Sequence, residues 1–72
     1  MSQYTLVITQ EADGRHSVTV PALPGCHTWG DTVGHAVEMA HEAIDLYLED
    51  MRNNAETIPT DESVVVTQVD VA

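Results

Sequence analysis

At 72 residues the chain is long enough for one domain, spanning 1–72, and too short for two. Two basic residues, Arg15 and Arg52, stand against twelve acidic ones, and the formal net charge of −10 argues against direct nucleic-acid binding through Lys and Arg contacts to phosphate. A single cysteine excludes an intrachain disulfide, and no segment approaches the roughly 20 apolar residues of a membrane helix, so a soluble, cytoplasmic protein is expected.

The first element is a strand over residues 4–10, where Tyr4, Leu6 and Ile8 alternate with Thr5, Val7 and Thr9. Asp13-Gly14 suits a tight turn, and alternation resumes over 16–20, with Val18 and Val20 on one face and Ser17 and Thr19 on the other. Together they read as an antiparallel hairpin. Pro21-Ala22-Leu23-Pro24-Gly25 interrupts it, because proline has no amide to donate to a central ladder. A short third strand is predicted at 26–29, closed by Gly30-Asp31.

The spacing of Val33, Ala36, Val37, Ala40, Ala43, Ile44, Tyr47, Leu48 and Met51 predicts an amphipathic helix over about 32–53. Asp31 or Thr32 can cap its amino end, and Asn53-Asn54 can stop it. Residues 55–63, with Pro59, form a connection, and 64–71 reads as a last strand with Val65, Val69 and Val71 on one face and Val64 and Val66 on the other. The expected fold is α+β, in the order β-β-β-α-β, one helix on a small, mainly antiparallel sheet. One sheet face is then left over, with Val7, Val64 and Val66 turned towards it. A thin core and spare sheet surface predict a homo-oligomer, a dimer or tetramer.

No nucleophile-base constellation emerges, so no catalytic residue is assigned. Cys26, in an apolar context, reads as a small hydrophobe. His16, His27, His35 and His41 invite a metal site, yet Asp45 stands where an H-E-x-x-H motif beginning at His41 needs its second histidine. No metal or cofactor is expected. Glu38, Glu42, Asp45 and Glu49 line the wet face of the helix and are candidate contacts for a basic protein partner. Met39 and Leu46 share a flank outside the main apolar stripe and form a candidate contact ridge. Trp29, near the strand-helix junction, is either an interface anchor or a core aromatic.

Pro21-Ala22-Leu23-Pro24-Gly25-Cys26, Thr28, Gly30-Asp31-Thr32, the helix carrying Glu42-Ala43-Ile44 and Tyr47-Leu48, and Ile58-Pro59 together resemble the amino-terminal domain of the HicB antitoxin family over 4–59. The resemblance implies a partial ribonuclease-H-like fold without that enzyme's catalytic set. It also implies neutralisation of a small basic HicA-like ribonuclease toxin by covering its active surface. Ala22 stands where the family commonly has Asp, and Gly34-His35 replaces Glu-Glu, so no Thr-x-x-Glu capping box is expected. The family's usual carboxy-terminal DNA-binding domain is not expected within these residues, so its DNA-dependent autorepression does not carry over. Two other readings stand beside the antitoxin: a stand-alone oligomeric regulator, and a residual metal-dependent nuclease on the same scaffold.

Overall fold

The computed structural model describes residues 2–72. Strands β1 (Val7–Gln10), β2 (His16–Thr19) and β3 (His27–Gly30) form an antiparallel sheet in the order β1-β2-β3, followed by helix α1 (Val33–Asn53) and a single 3-10 turn at Asp61–Ser63. The alternation read from the sequence sets the register. Val18 pairs with Ile8 and Thr28 on the helix side, while Ser17 pairs with Thr9 and Trp29 on the other.

The proline-rich segment is a pair of back-to-back turns. Leu23 N–H donates to Val20 O (3.0 Å), Cys26 N–H donates to Leu23 O (2.9 Å), and Val20 N–H reaches across to Cys26 O (3.1 Å). Pro24 and Gly25 occupy the two central positions of the second turn, and Gly25 has φ +81°, the left-handed value that a type II turn requires there. The turns point Val20, Leu23 and Cys26 inward, where they form one buried cluster with Tyr4, Leu6, Ile44, Tyr47 and Leu48 packed around it. Tyr47 Oη–H closes this end by donating to Pro24 O at 2.8 Å.

A second cluster joins Val18 to Ala36 and Ala40, with Leu6 and Ile8 against it. The helix packs mainly on β3 and then β2, and leaves β1 at its margin. Gly30 permits this approach. A Cβ at that position would collide with the Ala36 backbone, at 2.6 Å from its Cα. Thr32 caps the helix, its Oγ1 accepting from His35 N–H at 3.0 Å. The missing Thr-x-x-Glu box is partly replaced, because His35 Nδ1 accepts from Asp31 N–H at 3.0 Å, one residue before the usual donor.

The expected last strand is not formed. Residues 64–72 belong to no sheet, and Val65, Val66, Val69 and Val71 are largely exposed. A strand exists only through a paired edge, and this segment lies along none, so its alternating pattern finds neither face to occupy. The expectation that Val64 and Val66 share the open sheet face with Val7 falls with it. The first strand is also shorter than the alternation suggested: residues 4–6 pack on the core without entering the ladder. Among the described residues, no helix is long and apolar enough to cross a membrane.

Candidate partner-binding surface

The outer line of α1 is built as its periodicity required. Glu38, Glu42, Asp45 and Glu49 are all exposed, and among the described residues only Asp45 has a close partner, His41 Nδ1 at 3.2 Å. Arg52 is the only lysine or arginine on the helix. Beside this line Met39 is half-buried and Leu46 is 67% exposed, so the ridge has one apolar side chain mostly in water. A large exposed leucine bordered by carboxylates provides an apolar contact and a field that attracts cations.

Trp29 lies on the opposite side of the molecule. Its register partner Ser17 and the neighbouring Thr9 place it on the sheet face away from the helix, and at 48% exposure it is not a core residue. The structure therefore does not unite Trp29 with Met39, Leu46 and the acidic line; the sheet separates them. The burial of Cys26 and Gly30 fixes the inward phase of β3, and His27 and Trp29 fall in the outward one, a parity that the residue types of 26–30 do not reveal by themselves.

The sequence reading passed over Arg15. Its guanidinium lies 4.8 Å from the Trp29 ring centroid, a cation-π contact, while its Nε donates to Asp13 Oδ2 at 2.8 Å. The backbone N–H of Arg15, and then its charge, hold the Asp13 carboxyl below the ordinary aspartate range. The indole is thus covered on one side by a cation whose charge is already paired. No local sequence signal foretells this stack, because it depends on the β2-β3 register, which sets Arg15 diagonally across from Trp29 on the same face.

A third feature is a groove between α1 and the residues that lead into β1, lined by Tyr4, Leu6, Val37, Ile44 and Leu48, with His41, Asp45 and Arg52 at its rim. It exists because the helix sits over β3 and exposes Val37 instead of covering β1. At one end Asp61 ties the chain down. Its carboxylate accepts from Thr5 N–H at 2.9 Å and from the Thr5 hydroxyl at 2.5 Å, and these two bonds lower its pKa.

Chemistry-bearing groups do not gather elsewhere. Cys26 is buried, and desolvation pushes its thiol above the ordinary range, which disfavours the thiolate. Among the described residues no three His, Cys, Asp or Glu side chains converge as a metal would need.

Comparison with known proteins points one way. The family model described as a HicB-like antitoxin of bacterial toxin-antitoxin system matches residues 4–71. A UPF0150 protein of Thermoplasma acidophilum is 43% identical over 65 residues, covering 90% of this chain and 94% of that protein. A UPF0150 protein of Synechocystis is 36% identical over 62 residues (86% and 78%), and one of Archaeoglobus fulgidus is 43% identical over 51 residues (71% and 74%). No solved structure matches the chain at a significant level.

Proposed function

The chain belongs to the HicB-like antitoxin family, and from that premise we propose that it is an antitoxin that binds and neutralises a basic HicA-like ribonuclease toxin. The observation that supports this reading is the exposed line of Glu38, Glu42, Asp45 and Glu49, with Leu46 67% exposed and Met39 beside it. The carboxylates steer a cationic surface into register, and the apolar ridge holds it once water is expelled. Trp29, with Arg15 stacked on it, offers a separate contact on the sheet's outer face. Membership of an antitoxin family suggests a non-enzymatic role, and in this reading no residue does chemistry and no cofactor is required. The β-β-β-α order followed by an unpaired segment is compatible with the partial ribonuclease-H-like arrangement that the resemblance implies.

The test is the association of the full chain with a candidate basic toxin, followed by stopped flow and calorimetry. Glu42→Lys combined with Glu49→Lys is expected to slow association on the order of tenfold at low salt. Leu46→Glu is expected to speed dissociation. Unchanged rates in both variants would remove this surface from the reading.

The unpaired valine segment favours a second reading, a stand-alone homo-oligomeric regulator, dimer or tetramer, with no toxin partner. Recovery of a small basic protein with the native chain separates the two: the antitoxin needs it, and the regulator does not.

A further inference from the structure

We propose that residues 64–71 add as a fourth strand to the β1 edge of a second copy of this chain, reciprocally, so that each copy's groove is filled by the other's valines. This inference rests on the self-association reading above and names its chemistry.

Three observations meet here. The segment is unpaired from Val64 onward, with Val65, Val69 and Val71 between 81% and 86% exposed. A radius of gyration of 13.7 Å, against about 11 Å for a compact chain of this length, agrees with a segment that projects from the body. Second, β1 pairs only with β2, so its other edge presents free amides and carbonyls. Third, the apolar groove of Leu6, Val37, Ile44 and Leu48 lies between α1 and residues 4–6, which lead directly into that edge. A strand laid on β1 and continued along residues 4–6 with Val65, Val69 and Val71 inward would cover it, and Val64 and Val66 would then extend the outer face beside Val7.

The occupant is argued from charge. A chain of net charge −10 repels its own copy, yet no charged residue occurs from Gln3 to Gln10, and Asp70 is the only one from Ser63 to Val71. The strand segments that must meet carry only Asp70, and the groove's rim adds Asp45 and Arg52, one charge of each sign. The segment also leaves the body at Asp61, which is fixed to Thr5 next to the start of β1. A two-fold axis beside two such edges lets each segment cross to its neighbour.

The experiment measures mass in solution by light scattering from 1 to about 100 µM for the full chain and for V65D/V69D. Isotope-filtered NOEs are recorded on a one-to-one mixture of labelled and unlabelled wild-type chain. The expected results are twice the 7.8 kDa chain mass for wild type, the chain mass for the variant with helical circular dichroism retained, and interchain NOEs between Val65 or Val69 and Val37 or Leu48. A dimer that persists in the variant with no such NOEs overturns the strand exchange while leaving self-association standing. Monomeric wild type overturns both. Intrachain NOEs alone, from a segment folded back on its own β1, also overturn the exchange.

Discussion

Ala55 occupies the left-handed region, with φ +54°, directly after the helix. It stands at the position where Glu56 N–H donates to Met51 O (2.9 Å) and Ala55 N–H donates to Arg52 O (3.1 Å), the paired bonds of a Schellman ending. An L side chain there costs roughly 1–2 kcal/mol, so Ala55→Gly is expected to stabilise by about 1 kcal/mol, raising Tm by roughly 4–8 °C in a thermal melt. Gly30 is the opposite case. Its missing Cβ is the space that the Ala36 backbone fills, and Gly30→Ala forces helix and strand apart at a loss of about 1–3 kcal/mol, checked by urea unfolding. Neither effect follows from helix or strand propensity. Both arise where one backbone meets another or itself.

At the scale of elements, the double turn and the 55–63 connection hold α1 against the sheet from its two sides. Leu23 is fully buried at the corner between the two turns, and Leu23→Ala is expected to cost about 2–5 kcal/mol, read from the same urea titration. The connection is held by Asp61 on Thr5 and by Tyr4 Oη–H on Pro59 O at 2.7 Å. The pKa of Asp61 is lowered by folding, so the folded state holds the proton less tightly than the unfolded chain does. The stability from this contact is present above the ordinary carboxylate range and is lost as pH falls through the lowered value. The difference in stability between wild type and Asp61→Ala is therefore expected to shrink as pH is lowered from 6 to about 2. A constant difference would show that the carboxylate contact contributes nothing measurable.

For the whole molecule, charge separates the two proposed associations. Toxin binding through the carboxylate line joins opposite charges, and salt weakens it by screening. Self-association through β1 and residues 64–71 brings together two chains of net charge −10, and salt strengthens it by screening their repulsion. Raising NaCl from 50 to about 500 mM should thus raise the apparent Kd for toxin and lower that for the dimer, measured by titration and by sedimentation. The same sign of change in both would mean that one surface serves both partners.

The sequence alone determined the hairpin, the third strand, the helix and the inward phase of β1 and β2, because period two and the helical repeat mark which residues can share a buried face. It also carried the family, through turn residues such as Leu23 and Gly25 whose role proved to be packing and backbone geometry. Only the tertiary structure decided that Trp29 and the acidic helix line lie on opposite sides, that Arg15 covers the indole, and that Val37 borders an open groove. It also decided that 64–71 remains unpaired, because alternation encodes a readiness to pair and the partner edge is supplied by position in space.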